Sequence, residues 1–321
     1  MEILKGNYLV TGASGSMGTT ALKRMANIPN VFIRAVDIVE PRISASNISF
    51  IKADLKDFNV CKKITEGIDY VFMFAAILST APVMAENPVS HVTSNMIINS
   101  QILEAAYFAG IKKFLWLSST TGYPKKDGKL KEEDIFKGDP PDNYFSVGWM
   151  SRYTEALCRM YATKLKRSMP AVVLRPTNIY SEYETFDPMK SHVLPALIKK
   201  VVDRQKPIQV LGDGEQRKDL VYSDDVFDAC LLALEKVSTF DSFNIGSGKE
   251  YSIKELLELA IELDRYKEAE IKYNVSKHMS FNQRSFDLSK SKKILDFKAK
   301  TEIKKGVGEM IKEYKKLINR K

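Results

Sequence analysis

Residues 8–18 read YLVTGASGSMG, and this stretch decides the fold of the chain. A short apolar run ends in three glycines with the pattern G-x-x-G-x-x-G, and a segment with helical spacing follows. In such a unit Gly12 allows a tight turn, Gly15 lets a pyrophosphate approach the backbone, and Gly18 lets the helix pack against the sheet. We therefore predict that a dinucleotide is bound by the turn residues Gly12, Ser14, Gly15, Ser16, Met17 and Gly18.

An acidic residue stands at the distance from this turn that favours NAD over NADP. Asp37 ends the apolar run VFIRAVD, 19 residues after Gly18. A carboxylate there accepts hydrogen bonds from the adenosine ribose hydroxyls and repels a 2′-phosphate. We expect NAD as the cofactor, and NADP stays open as the alternative because Arg34 and Arg42 lie nearby in the sequence.

Two later segments are predicted to extend the cofactor site. Asp54 and Leu55 follow the third apolar run and would lie beside the adenine. Ala75 and Ala76 end the fourth run, where small side chains let a cofactor lie against the backbone. Ordinary packing at a strand end is the alternative for each of these positions.

Apolar runs alternate with helical segments as far as residue 176, a pattern typical of a parallel sheet that is covered on both faces. Beyond Asn178 helical segments dominate, and 321 residues fit about two domains. We therefore predict an α/β fold, namely a Rossmann-type doubly wound parallel sheet with a smaller, mostly helical C-terminal substrate domain.

Composition narrows the classes of partner. The formal net charge is +9, but much of the excess lies in residues 298–321, where Lys alternates with Glu at helical spacing. Such a helix is usually solvated, so we expect no nucleic-acid partner. No apolar stretch is long enough to span a bilayer, so we expect a cytoplasmic protein that does not bind a membrane. Three scattered cysteines and isolated histidines predict no metal site.

The chain resembles the extended short-chain dehydrogenase/reductases of the nucleotide-sugar epimerase/dehydratase family. The resemblance rests on TGASGSMG, AVD, LSSTTGYP, LRPTNIYS, GDGEQRKDLVYSDDV and FNIGSG, and it runs nearly from end to end. SNMIINSQILEAA and SHVLPALIKK are similar to the GDP-sugar branch of that family.

The resemblance implies a domain organisation and partners. It implies an NAD-binding Rossmann domain over residues 1–178, rejoined by 218–246, and a nucleotide-sugar-binding domain over 179–321. It also implies a homodimer formed through two long helices, at 92–109 and 147–165. The substrate it implies is a nucleoside-diphosphate sugar, and it adds Asn95 and Ser118 to the cofactor site.

The resemblance also implies a reaction mechanism from which this chain departs. Family members use a Ser or Thr, which Thr120 matches, together with a Tyr and a Lys four residues later. When the segments are aligned on the following Thr-Glu-Ala-Leu-Cys, the Tyr position holds Val147 and the Lys position holds Ser151. Valine has no proton to exchange and serine carries no positive charge, so neither residue performs the family's chemistry.

Three explanations for the missing pair remain open. In the first, other residues replace it: Arg152 supplies the charge, and Tyr144, Tyr123 or Ser151 supplies a hydroxyl. In the second, the chain binds NAD and a nucleotide sugar with little or no turnover. In the third, the two positions were altered to trap a complex.

The functional prediction is an NAD-dependent nucleotide-sugar epimerase/dehydratase, with GDP as the possible nucleotide, that works through a 4-keto intermediate. The alternatives are an impaired NAD- and nucleotide-sugar-binding protein and a nucleotide-sugar 4-ketoreductase. The resemblance also implies a substrate site in which arginines bind the diphosphate. A guanidinium suits this role because it can donate two hydrogen bonds to one phosphate group. The residues that we assign to this site are Thr120, Asn178, Arg217 and Arg284.

Overall fold

The computed structural model describes residues 3–77, 89–187, 191–275 and 284–319. Seven strands form its central sheet: β1 (Gly6–Thr11), β2 (Val31–Asp37), β3 (Ile48–Lys52), β4 (Tyr70–Met73), β5 (Lys113–Leu117), β7 (Ala171–Pro176) and β11 (Phe240–Ile245). They lie in the order β11-β7-β5-β4-β1-β2-β3, and every neighbouring pair is parallel. The carboxyl ends of the strands therefore meet at one edge of the sheet, where ligands bind in folds of this kind.

Helices cover both faces of this sheet. Helices α1 (Ser16–Met25) and α6 (Ser223–Lys236) lie on one face, and α2 (Phe58–Thr65), α3 (Val89–Ala109) and α4 (Phe145–Thr163) on the other. Neighbouring strand residues feed opposite apolar layers: Leu9 packs into one and Val10 into the other. That is why the strands read as continuous apolar runs. The predicted doubly wound α/β Rossmann fold is confirmed.

The second region combines helices with small sheets. Its helices are α5 (Val193–Val202), α7 (Ile253–Leu263) and α8 (Ile303–Asn319), which enclose a separate apolar core. Strands β8 (Asn178–Tyr180), β10 (Arg217–Tyr222) and β12 (Glu250–Ser252) form one sheet, in the order β12-β10-β8. Strands β9 (Ile208–Leu211) and β13 (Ile271–Asn274) form a second, parallel pair.

The chain crosses between the two regions more than once. Within residues 218–246, β10 belongs to the three-stranded sheet, whereas α6 and β11 lie with the central sheet. Near the end of the chain, β14 (Ser285–Phe286) pairs with β6 (Lys129–Leu130), and Leu295 and Phe297 complete an apolar layer of the central sheet. These crossings bring late residues to the carboxyl edge of the sheet.

Within the four described segments, no helix combines the length and the apolar character that a membrane span needs.

Candidate active site

The glycine turn after β1 has the shape of a cofactor cradle. Gly12 has a φ of +66°, and a Cβ atom there would lie 2.7 Å from the nitrogen of Ala75. A Cβ at Gly18 would lie 2.1 Å from the carbonyl oxygen of Gly12. At Gly15 such an atom would lie 3.3 Å from that same oxygen, and no other part of the described chain beyond the adjoining residues comes within 4 Å of it. The two outer glycines are therefore required by the fold, and the middle one faces open space.

Helix α1 begins at Ser16, directly behind this open space. Its N-cap residue, Gly15, has no side chain with which to satisfy the first backbone N–H groups. The Met17 side chain packs into the apolar core, so its contribution at this helix end is its backbone. Free N–H groups and the helix dipole favour an anion at this point, and a dinucleotide pyrophosphate fits the charge and the space.

Asp37 is held in place at the end of β2. Its two carboxylate oxygens accept hydrogen bonds from the backbone nitrogens of Ser14 (2.9 Å) and Val39 (3.1 Å). The guanidinium of Arg34 is turned away and donates to the carbonyl oxygens of Ile64 and Glu66. The carboxylate is therefore the charge presented beside the glycine turn, which fits an unphosphorylated ribose.

The remaining predicted cofactor residues lie along the same edge. Asn95, on α3, accepts a hydrogen bond from the Ile77 N–H at 2.8 Å and donates one to the Ile77 carbonyl at 2.9 Å. These two bonds fix the backbone that follows β4. Ala75 lies against the glycine turn, and Ala76 is exposed. After β3, Asp54 is exposed, whereas the Leu55 side chain packs into the core.

A buried polar network lies beneath the ends of β5, β7 and β11. The Ser118 hydroxyl donates to Glu155 at 2.8 Å, and Arg175 donates to the same carboxylate at 2.9 and 2.5 Å. Arg175 also donates to the Tyr123 hydroxyl at 2.7 Å, which in turn donates to Asn244 at 2.6 Å. The Ser118 side chain is therefore directed into this network. It does not point toward the carboxyl edge of the central sheet between the two regions, which we call the cleft.

Tyr123 is unsuited to exchange a proton with a ligand. Its side chain is fully buried, and its hydroxyl already accepts one hydrogen bond and donates another. Burial raises the pKa of Tyr123 well above its usual range, against the opposing influence of Arg175. The residue fixes the loop that follows β5, and thereby the position of Thr120.

The residues at the family's Tyr and Lys positions lie on α4. Val147 is half-buried and Ser151 almost fully buried. The Ser151 hydroxyl donates to the Val147 carbonyl at 3.0 Å, a bond within the helix. The two positions lie about one turn apart on α4, and neither carries an acid or a cation.

Arg152 donates hydrogen bonds to the loops around α4. Its Nε donates to the Gly122 carbonyl at 2.8 Å and its Nη2 to the Gly138 carbonyl at 2.6 Å. The guanidinium lies 4.6 Å from the ring centroid of Trp149, and the side chain is almost fully buried. These contacts point the charge away from the face of α4 that carries Val147 and Ser151.

Three of the predicted residues do meet at the mouth of the cleft. Arg284 donates from Nη1 to the Thr120 carbonyl at 2.9 Å. The same guanidinium lies 4.9 Å from the ring centroid of Tyr144, the residue just before α4. Burial raises the pKa of Tyr144, and the positive charge of Arg284 opposes that rise. The cluster joins a loop of the central sheet, the start of α4 and the late segment that carries β14.

Lys218, which the sequence analysis missed, faces Arg284. Its side-chain ammonium makes no hydrogen bond or ion pair with any residue that the structure describes. Burial lowers the pKa of Lys218, and the charge of Arg284 lowers it further. Burial, with a contribution from Lys218, also lowers the pKa of His192. Two neighbouring cations that form no ion pair with a described carboxylate make a site that an anionic ligand would stabilise.

Arg217, by contrast, is engaged in the second region. Its Nη2 lies 3.2 Å from Glu255 and donates to the Glu250 carbonyl at 2.7 Å. Asn178 remains close to the cleft and donates to the Asp219 carbonyl at 2.9 Å. Alternation along β10 places Lys218 on the same side as Leu220 and Tyr222, but nothing in that pattern points to Arg284, which comes from a distant part of the chain.

Glu184 is a second residue that the sequence analysis missed. Its carboxyl lies beside the Ser16 hydroxyl at the start of α1, and burial raises the pKa of Glu184 to about 7. The residue follows β8 in a stretch with no regular structure, so no motif pointed to it. Its charge therefore changes near neutral pH, close to the proposed pyrophosphate position.

Comparisons with known proteins agree with this architecture. GDP-L-fucose synthase 1 of Arabidopsis thaliana is 29% identical over 202 residues, which span 60% of this chain and 61% of that relative's length. GDP-L-colitose synthase of Yersinia pseudotuberculosis is 25% identical over 289 residues, 87% of this chain and 88% of that protein.

Among solved structures, UDP-glucose 4-epimerase of Thermotoga maritima with UDP-glucose superposes with a TM-score of 0.84. It is 25% identical, and the match covers 97% of this chain and 99% of that one. The resemblance drawn from the motifs is thereby confirmed. Because residues 8–246 match the NAD dependent epimerase/dehydratase family, the chain belongs to that family of nucleotide-sugar enzymes.

Proposed function

We propose that this protein is an NAD-dependent enzyme that oxidises or reduces a nucleoside-diphosphate sugar at C4, through a 4-keto species. The observation that carries the proposal is that Arg284 contacts Thr120 and influences Lys218 electrostatically, while neither cation forms an ion pair with any described residue. A diphosphate supplies the missing negative charge, and its attachment to a sugar would bring the sugar ring toward Thr120.

The cofactor half of the proposal rests on the cradle around Gly15. Gly12 and Gly18 keep the turn tight, and the start of α1 offers N–H groups to the pyrophosphate. Asp37 would accept hydrogen bonds from the ribose hydroxyls. When bound, NAD supplies a hydride acceptor that can later return the hydride to the sugar. The backbone near Ala75, fixed through Asn95, keeps the cofactor side of the cleft in shape.

Two further tasks, orienting the sugar and binding its diphosphate, would fall to side chains of this protein. The Thr120 side-chain hydroxyl has no hydrogen-bond partner among the described residues, so it is free to orient a sugar oxygen. Arg284 joins the two tasks, because it contacts the Thr120 carbonyl and faces the diphosphate position. Substrate phosphate binding would therefore stabilise the loop that carries the sugar-orienting residue.

The outcome at the sugar has more than one candidate. Relatives named as GDP-L-fucose synthase and GDP-L-colitose synthase support GDP as the nucleotide and favour reduction of a 4-keto sugar beside epimerisation or dehydration. An impaired binding protein is the second candidate. The observation that favours it is the engagement of Ser151 and Arg152 in contacts within and around α4, which leaves the family's Lys function unfilled at those two positions.

A homodimer is part of the proposal. Helices α3 and α4 pack against each other, and both carry large apolar side chains that remain exposed. The exposed fractions are 39% for Ile97, 68% for Phe108, 42% for Trp149 and 49% for Tyr153. Exposed large apolar side chains on two packed helices are typical of an interaction site, and a second copy of the chain would cover them through the same two helices.

The first experiment identifies ligands and turnover together. The purified protein is denatured to release its dinucleotide, which is identified, and native protein is incubated with GDP-, UDP-, dTDP- and CDP-sugars in D₂O. We expect NAD, and deuterium incorporation or a 4-keto product with one nucleotide class. Tight sugar-nucleotide binding without conversion would instead establish the binding protein, and no binding at all would refute the proposal.

The second experiment tests the diphosphate site. We expect Lys218→Ala to weaken binding of the preferred nucleoside diphosphate by about 10- to 100-fold, since a buried charge-assisted contact of about 1.5 to 3 kcal/mol is lost. Arg217→Ala is the matched control, because its side chain faces Glu255. Equal losses in both variants, measured by titration calorimetry with GDP and UDP, would count against this site.

A further inference from the structure

The face of α4 that lacks the family's pair still carries one phenol. Tyr144, Val147 and Ser151 are spaced i, i+3 and i+7, so they follow one another along a single side of the helix and its first turn. Tyr144 therefore precedes the vacant Tyr position by about one turn. A long aromatic side chain at that point can reach the region beside Val147 without any change in the helix.

The other hydroxyl groups that the sequence offered are already committed. The Ser151 hydroxyl donates to the Val147 carbonyl and is almost fully buried. The Tyr123 hydroxyl lies between Arg175 and Asn244 in the buried network. Neither can release or accept a proton at a ligand without breaking these bonds.

Tyr144 stands in a different environment. It is half-buried, and its hydroxyl makes no hydrogen bond to the part of the chain that the structure describes. The Arg284 guanidinium lies 4.9 Å from its ring centroid and also contacts the loop at Thr120. Through Arg284, the Tyr144 ring thus lies next to the loop of the sugar-orienting threonine and beside one of the two cations assigned to phosphate binding.

We propose that Tyr144 is the catalytic acid of this enzyme and exchanges the proton with the sugar oxygen at the reacting carbon. The inference rests on the proposed function and names the residue that replaces the missing tyrosine. In the reductive direction the carbonyl carbon receives a hydride from the reduced nicotinamide, and the carbonyl oxygen receives the Tyr144 proton. The products are the sugar alcohol, the oxidised nicotinamide and the Tyr144 phenolate, which takes a proton from water.

Arg284 has a defined part in this step. A guanidinium beside the ring stabilises the negative charge that appears on the phenolate, as the family's lysine would. In the resting protein Tyr144 keeps its proton, because burial disfavours the phenolate. A protonated phenol is ready to donate, so the arrangement suits reduction of a ketone better than oxidation of an alcohol.

The test compares two phenylalanine variants on α4 or at its start. We expect Tyr144→Phe to lower kcat by about 100-fold or more, the usual contribution of a general acid, and to leave the Kd for GDP- or UDP-sugar within about twofold. Tyr161→Phe is the control, since that ring packs against Tyr107 more than four turns further along α4. Unchanged kcat in Tyr144→Phe, with turnover by the unaltered protein, would overturn the role of Tyr144 and leave the proposed function standing.

A second readout does not depend on turnover. The chain has 14 tyrosines, and 3-fluorotyrosine gives each a ¹⁹F resonance, of which the one absent in Tyr144→Phe belongs to Tyr144. We expect this resonance to shift when the preferred nucleotide sugar is added to the NAD-loaded protein. No shift would refute contact between Tyr144 and the sugar, whereas failure of any nucleotide sugar to bind would refute the proposed function itself.

Discussion

At the scale of single residues, the site depends on charges that are held close to one another. The charge of Arg284 lowers the pKa of Lys218, and Glu184 sits where a second anion, the pyrophosphate, would approach. Binding of phosphate groups at these two places therefore has opposite electrostatic consequences. The cation pair gains a counter-charge, whereas the Glu184 carboxylate meets a charge of its own sign.

We predict that Glu184 makes NAD binding sensitive to pH. Because burial raises its pKa to about 7, the carboxyl is protonated at pH 6 and ionised at pH 8. The ionised form repels the pyrophosphate, so we expect the affinity for NAD to fall about fivefold from pH 6 to pH 8, which corresponds to roughly 1 kcal/mol of screened repulsion. Titration calorimetry at the two pH values measures this change.

The raised pKa of Glu184 also makes the stability of the folded protein depend on pH. Between its ordinary pKa and about 7, the folded protein binds more protons at Glu184 than the unfolded chain does, so this contribution to stability is lost as pH rises. Glu184→Gln should remove both pH effects. An equal pH response of NAD binding in Glu184→Gln would assign the effect to another group.

At the scale of elements, the buried network ties three strand ends to the late segment that carries Arg284. Asn244, on β11, donates from Nδ2 to the carbonyl oxygens of Leu130 and Asp287, both at 3.1 Å. Its backbone N–H donates to Glu132 at 2.8 Å. The amide therefore holds the β6–β14 pair against the central sheet and sets the position of Arg284.

Asn244→Asp tests this connection with little change of shape. Two buried donors are lost and a carboxylate is introduced, so we expect unfolding free energy to fall by about 2 to 4 kcal/mol and nucleotide-sugar binding to weaken more than NAD binding. Urea unfolding and calorimetry measure the two effects. Asn59→Asp, an exposed position on α2, is the control. Equal weakening of NAD and sugar-nucleotide binding would separate Asn244 from the substrate side.

The site residues that could be predicted from the sequence are those whose interactions are local in the chain. The glycine turn and Asp37 were accessible because strand, turn and helix are contiguous and their spacing alone encodes the geometry. Lys218 and Glu184 were not, since their roles depend on Arg284 and Ser16, which come from distant parts of the chain. The network around Asn244 was missed for the same reason.

At the scale of the whole molecule, the exposed apolar stripe on α3 and α4 predicts self-association. We expect the protein to be a dimer by light scattering, and the double variant Ile97→Glu with Tyr153→Glu to be a monomer, because four charges would be buried across a symmetric interface. Phe32→Glu is the control, since Phe32 is 60% exposed on β2, away from these helices. A double variant that remains dimeric would place the interface elsewhere.

The return of the late segment to the central sheet has a consequence for synthesis. Leu295 and Phe297 fill an apolar layer whose other members come from strands and helices made much earlier. A nascent chain that has emerged only as far as α7 lacks these side chains and leaves that layer open to water. We therefore expect the apolar layer of the dinucleotide half to be completed only after residue 297 has emerged, and the partly open layer to be a site of aggregation in the growing chain until then.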